Sequence, residues 1–180
     1  MEPVQQLTGS EPGESWAALN TKWERRAQLA AEWLRGERVV ADIGCGLMTL
    51  EGFLPKSSTY VPMDVVRRDA RTILVDLNEE KIPVVACDAA VLLGVLEYVD
   101  DLESIFAQLR LFPKTLFSYN HISFNDLLWI AGLRPKLVTW RNRHTKSSLR
   151  RLLRSSGLQI IRERLIRVGE KLYEVRPALG

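Results

Sequence analysis

The chain has 180 residues, 46% of them hydrophobic and 26% charged, which suits one soluble domain with a sizeable core. No apolar run approaches the roughly 18 residues of a membrane span, and residues 1–15 lack the basic flank and apolar stretch of a signal peptide. Two cysteines, Cys45 and Cys87, cannot build a disulfide framework or a zinc site, so no metal is expected and a reducing, cytoplasmic setting is.

Residues 1–14 read as a flexible arm. Residues 15–34 carry helical spacing, with Trp16, Leu19, Trp23, Ala27, Ala30 and Leu34 on one face and Lys22, Arg25 and Arg26 outside; Gly36 ends the helix. A strand over 38–42 feeds a glycine turn, followed by a short helix over 48–54 that Pro55 closes. Strands are expected over 59–64 and 72–76. The near-continuous apolar run 84–93 has the character of a central strand buried on both faces. A helix over 101–111, capped by Asp100 or Asp101, precedes a strand over 115–120 and a helix over 123–133. Thr145 or Ser147 then caps an arginine-rich helix that stops at Gly157. Strands over 158–164 and 171–176, separated by Val168-Gly169, form a hairpin. These elements predict an α/β fold. Its Rossmann-like sheet has seven mostly parallel strands with the first central, a C-terminal antiparallel hairpin, and helices on both faces.

The chemistry concentrates after the first strand. Asp42, Gly44 and Gly46 follow one another at alternate positions, and roughly twenty residues later a second strand ends in Asp64. A glycine turn lets backbone approach a nucleotide-like ligand, and an acid at the next strand end can grip ribose hydroxyls. A carboxylate immediately before the glycines suits a cationic ligand better than a pyrophosphate, which prefers a helix N-terminus. Charge is unevenly spread: residues 134–180 hold 13 Lys and Arg against three Glu, so this segment is +10 within a total of +3. Such a split can signal nucleic acid. The competing reading makes Arg150, Arg151 and Arg154 the solvated face of a helix that buries Leu149, Leu152 and Leu153.

The order Asp42-x-Gly44-x-Gly46, Asp64, Asp76, and then the segment from Asp88 through Gly94-Val-Leu-Glu97-Tyr-Val-Asp-Asp101, resembles the class I S-adenosylmethionine-dependent methyltransferases over about residues 38–120. That resemblance implies S-adenosyl-L-methionine as cofactor and S-adenosyl-L-homocysteine as product. Asp42, Gly44, Cys45 and Gly46 would hold the methionine end, with Asp42 acting on the ammonium through water. Asp64 would accept from both ribose hydroxyls. Asp76 would face the adenine amino group, with the Leu77 amide near a ring nitrogen, while Leu93 and Gly94 would turn backbone carbonyls to the cofactor. It also implies one methyltransferase domain over 15–180: a lid helix (15–35), a cofactor core (37–120), and substrate-side helices with the closing hairpin (121–180).

Two departures stand out. Leu47-Met48 replaces the usual third small residue, and the Asp64–Asp76 connection is short and basic (Arg67, Arg68, Arg71), with little room for the usual helix. His121 and Asn120 are the catalytic candidates, His121 as a general base; its competing reading is a helix cap or loop residue. Trp16, Trp23, Tyr119 and His144 are candidate substrate contacts, the tryptophans reading also as core. Glu97 reads as structural or cofactor-proximal. The small domain favours a small-molecule acceptor, a secondary metabolite or glycan precursor, with no nucleic acid or membrane partner and a monomeric or homodimeric state. The alternatives are an RNA methyltransferase using the basic C-terminal region and a non-catalytic cofactor-binding scaffold.

Overall fold

The computed structural model describes residues 16–121 and 140–178, with side chains from Trp23 onward. The expected arm (1–14), the expected helix over 123–133 and the Trp16 side chain lie outside the described residues. In chain order the elements are α1 (Trp16–Trp33), β1 (Val39–Ile43), β2 (Thr59–Asp64), β3 (Ile73–Leu74), β4 (Ala89–Leu92), α2 (Leu102–Leu109), β5 (Thr115–Asn120), α3 (Lys146–Ser155), β6 (Leu158–Arg167) and β7 (Glu170–Pro177). No described helix is long and apolar enough to cross a membrane.

The seven strands form one sheet in the order β3-β2-β1-β4-β5-β7-β6. Pairing is parallel from β3 through β5 and antiparallel on both sides of β7. The mostly parallel sheet and the antiparallel ending are as expected. The middle strand, however, is β4, with β1 beside it. Alternation along the strands divides the core in two. Val40, Ala89, Val91 and Leu116 pack on the α1 face with Ala27, Ala30 and Leu34. Ala41, Ala90, Leu92 and Phe117 pack on the other face with Phe106 of α2 and Leu149 and Leu153 of α3.

Three elements differ from expectation. The apolar run 84–93 contributes only the four residues of β4 to the sheet, and Val84 is 66% exposed. Asp88 marks the entry point: its carboxylate accepts from the backbone N–H groups of Arg38 (2.7 Å) and Val39 (2.9 Å), tying the start of β4 to that of β1. An unbroken apolar run has no periodicity to show where such a strand begins. The helix over 48–54 is replaced by a single 3-10 turn, Glu51–Phe53. Met48 lies at φ 58°, left-handed backbone that an α-helix cannot pass through. β3 keeps only two residues, Ile73–Leu74. No helix joins it to β2; instead Thr72 Oγ1 accepts from the Arg68 and Asp69 N–H groups, and Arg71 bridges Glu51 and Asp69.

The caps follow the sequence. Asp101 accepts from Ser104 N–H (3.0 Å) and Thr145 from Ser148 N–H (3.2 Å), while Gly36 and Gly157 leave their helices at φ 96° and 73°. Since β1, β2, β4 and β5 run parallel, Ile43, Asp64, Leu92 and Asn120 all end at one edge of the sheet, where open α/β sheets bind ligands.

Candidate functional site

The turn after β1 is folded back onto the end of β2. Gly44 and Cys45 N–H groups donate to the Met63 carbonyl (2.7 and 3.0 Å), and Gly46 N–H donates to Asp64 Oδ2 (2.9 Å). Gly44 is required twice over: its φ is 72°, and a Cβ there would meet Val95 Cγ2 at 2.4 Å. Asp42, 3% exposed, accepts from the Tyr60 hydroxyl at 2.6 Å. Burial pushes its carboxyl up to about 7; the Tyr60 hydrogen bond works against that rise and nearby Asp64 adds to it. Burial likewise pushes the Cys45 thiol up to about 12, so it stays protonated at neutral pH.

Two adjoining depressions open at this edge. The larger, about 520 Å³, is lined by Asp42, Gly44, Cys45, Gly46, Leu93 and Gly94. Trp23, Arg26, Glu97, Asn120 and Trp140 also line it. The smaller, about 140 Å³, is lined by Asp64, Asp76 and Leu77 together with Val75 and Val95. Gly44 and Tyr98 line both, so they form one trough. The nine residues expected to hold the cofactor all line this trough: Asp42, Gly44, Cys45, Gly46, Leu93 and Gly94 the larger part, and Asp64, Asp76 and Leu77 the smaller.

Asp64 is already engaged on both oxygens. Besides Gly46, it receives the Val66 N–H (2.9 Å) and an Arg68 guanidinium at 3.4 Å on Oδ1. Asp76 accepts from the Asn78 N–H (2.9 Å), fixing the turn below the smaller depression.

Of the acceptor-side candidates, Asn120 and Trp23 line the cleft, and Tyr119, His121 and His144 do not. Strand alternation is the reason for Tyr119: with Asn120 turned to the cleft, its neighbour points into the other core, fully buried, with its hydroxyl on Asn142 Oδ1 (2.6 Å). His121 is held by contacts away from the cleft. Its Nε2 meets the Tyr173 hydroxyl at 2.5 Å, its Nδ1 lies 3.4 Å from the His144 carbonyl, and burial lowers its pKa. His144 turns to Ser148 Oγ (3.3 Å) at the start of α3.

Two cleft residues were misplaced or underread. Arg26, placed outside on the helical face, points in: it lies three residues after Trp23 and four before Ala30, on their stripe. It contacts Glu170 (3.2 Å) and Ser118 Oγ (3.4 Å). Gly94 lies at φ 72°, left-handed backbone that favours glycine, and a Cβ there would also come within 2.0 Å of the Arg26 guanidinium. Glu97, 1% exposed, accepts from both the backbone N–H (2.9 Å) and the side-chain amide (2.7 Å) of Asn120 through Oε1. Trp140 lies beyond the resembling segment and carried no motif signal.

No known family model matches the chain, and no curated protein matches it by sequence. Solved structures do match in fold. Magnesium protoporphyrin IX methyltransferase from Synechocystis PCC 6803, with bound S-adenosylhomocysteine, superposes with a TM-score of 0.69 at 16% identity, covering 92% of this chain and 89% of that one. The mitomycin 7-O-methyltransferase gives 0.67 at 21% identity over 89% of this chain, which spans only 56% of its length. The Burkholderia thailandensis 1,6-didemethyltoxoflavin-N1-methyltransferase, solved with 1,6-didemethyltoxoflavin and S-adenosylhomocysteine, gives 0.66 at 16% identity, covering 89% of this chain and 81% of that one. With the sheet order, the antiparallel ending and the glycine turn in place, this chain has the fold of the class I S-adenosylmethionine-dependent methyltransferases.

Proposed function

We propose that the protein is an S-adenosylmethionine-dependent methyltransferase acting on a small-molecule acceptor. The observation that carries this reading is the spread of Asp42, Asp64 and Asp76 along one trough joined at Gly44. The residues suit the cofactor on their own chemistry. Asp42, buried and poised to ionise near neutrality, gains from a neighbouring ammonium. Gly46 has open space where a side chain would stand, leaving its backbone approachable. Asp64 would take the ribose hydroxyls by giving up its weakest contact, the 3.4 Å one to Arg68. Asp76 and Leu77 would meet the base in the smaller depression.

The cofactor would supply a sulfonium-activated methyl group. The chain's part is to orient an acceptor in line with it and to exclude water. The cleft, at about 520 Å³, lies in the size range of small-molecule sites. Trp23 and Trp140 give it apolar walls, and Asn120 and Glu97 place polar groups in its lining.

Titration calorimetry with S-adenosylmethionine and S-adenosylhomocysteine tests the reading. Binding should weaken about tenfold or more in Asp64→Asn while the melting temperature stays within a few degrees. No binding by the wild-type protein at millimolar ligand would refute it. Tight, salt-resistant RNA binding together with methyl incorporation into the RNA would refute the small acceptor alone.

A further inference from the structure

The cleft contains a charged group whose second half has no partner. Glu97 Oε1 is doubly occupied by Asn120, but Glu97 Oε2 is buried and has no hydrogen-bond partner among the described residues. A native structure seldom leaves a buried carboxylate oxygen unmatched, because the lost solvation is not recovered. The residue is also held firmly. Its carbonyl accepts from Arg141 N–H (2.8 Å), and the Asn142 side-chain amide binds the Leu96 and Val99 carbonyls (2.6 and 2.7 Å), bracing the 3-10 turn Leu96–Tyr98 from both ends. A carboxylate clamped on one oxygen and vacant on the other is arranged to receive a donor.

Within the cleft the methionine end falls to Asp42 and the glycine turn. Glu97 lines the same cleft together with Asn120, Trp23 and Trp140. Two indoles favour a flat aromatic guest. We propose that Glu97 is the catalytic base for an aromatic acceptor bearing an O–H or N–H group, with Oε2 receiving that hydrogen and Asn120 positioning the carboxylate through Oε1. This rests on the methyltransferase reading. In the step, Oε2 takes the proton as the acceptor's lone pair forms the new bond to the methyl carbon. The carbon–sulfur bond breaks with its electrons on sulfur, leaving a neutral thioether, and the proton on Glu97 later passes to water. Burial raises the Glu97 pKa, with the Asn120 hydrogen bonds opposing, which brings the carboxylate closer to the basicity that proton transfer requires.

The test uses the full chain saturated with S-adenosylhomocysteine, titrated with 2-naphthol and with 2-methoxynaphthalene, which share a ring system but differ in the O–H. The expected result is at least about tenfold tighter binding of 2-naphthol, the worth of one hydrogen bond to a charged group. In Glu97→Gln, where an amide N–H replaces the vacant oxygen, the preference should vanish while the affinity for S-adenosylhomocysteine stays within about twofold. Equal affinities in the wild-type protein overturn the proposal whether or not the variant folds. A tenfold loss of S-adenosylhomocysteine binding in Glu97→Gln also overturns it, by assigning Glu97 to the cofactor. Absence of S-adenosylhomocysteine binding in the wild type instead removes the methyltransferase reading, and the naphthol comparison on the same protein reports the hydroxyl site separately.

Discussion

Binding of the cofactor should be linked to a proton at Asp42. In the free protein this carboxyl is pushed up to about 7 from an ordinary 3.8, because burial penalises its charge and nearby Asp64 adds to that, with the Tyr60 hydrogen bond only partly opposing. An ammonium brought to it favours the ionised form, so the bound complex should hold Asp42 well below 5 and binding below neutrality should release a proton. With a free value of 7 and complete ionisation in the complex, affinity should fall about 80-fold from pH 7.5 to pH 5. At about pH 6 close to one proton should leave per ligand bound. Calorimetry with S-adenosylhomocysteine in two buffers of different ionisation enthalpy measures both quantities. The ligand's own amino group stays protonated across this window and adds no slope. In Asp42→Asn the slope should disappear and the neutral-pH affinity should fall. A flat affinity with no proton release would refute the reasoning, by showing either that Asp42 is ionised in the free protein or that the ammonium lies elsewhere.

The same residue should shape stability without ligand. Since the folded protein holds the Asp42 proton up to about 7 and the unfolded chain only up to about 3.8, stability should fall as pH rises between these values, by at most about 4 kcal/mol, and level off above; urea titrations of the wild type and Asp42→Asn across that range compare the slopes. Gly44→Ala should cost about 2–4 kcal/mol, combining left-handed backbone with the clash on Val95, and adding Val95→Ala should restore only the packing share, as read from denaturation midpoints. Arg68→Ala should tighten S-adenosylhomocysteine binding by up to about fivefold, since it removes a competitor for Asp64; weaker binding would place Arg68 on the ligand instead. His121→Ala should lower the melting temperature through the lost Tyr173 contact and leave S-adenosylhomocysteine affinity unchanged.

What was legible in the sequence was what periodicity and punctuation encode. The end of β2 at Asp64, the span of β5, the Asp101 and Thr145 caps and the closing hairpin all follow from local signals that tertiary structure did not override. The acids proposed for the cofactor were legible because each lies at or near the C-terminal end of a strand, and parallel strands bring those ends to one edge. The acceptor side was harder for two reasons. Position at the end of β5 put Tyr119, Asn120 and His121 in contention together, and only the pleat, which sends alternate residues to opposite faces, separates Asn120 from Tyr119. The value of Glu97 lay in an oxygen left over after Asn120 is satisfied, a three-dimensional count with no counterpart in residue order. Met48 shows a third kind of failure: a residue with good helix propensity sits in left-handed backbone because the turn demands it, and the helix that propensity suggested does not form.

The basic C-terminal region is the strongest argument for a polyanionic substrate; many of its cations are tied to carboxylates, although its three glutamates are already counted in the +10. Each of its three glutamates gathers several cations. Glu163 binds Lys146, Arg150 and Lys171; burial alone would raise its carboxyl, and these three bonds together take it down to about 2. Glu174 binds Arg162 and Arg176, and Glu170 binds Arg167 and, from α1, Arg26. Arg164 reaches Glu32 of α1. The arrangement fastens the hairpin to both helical layers and accounts for an arginine-rich edge strand that resists pairing with another sheet. At the trough itself the cations among the described residues are Arg26, Arg68 and Arg167, each facing a carboxylate at 3.4 Å or less. A groove that tracked phosphates would leave such cations open along its length. Here Arg26 and Arg167 share Glu170 and Arg68 faces Asp64, and a vacant polar atom among the described residues is an acceptor, Glu97 Oε2, which suits a donor better than a phosphate. A neutral guest carrying an O–H or N–H would meet that acceptor directly, whereas a phosphate would have to compete with Glu170 and Asp64 for the arginines.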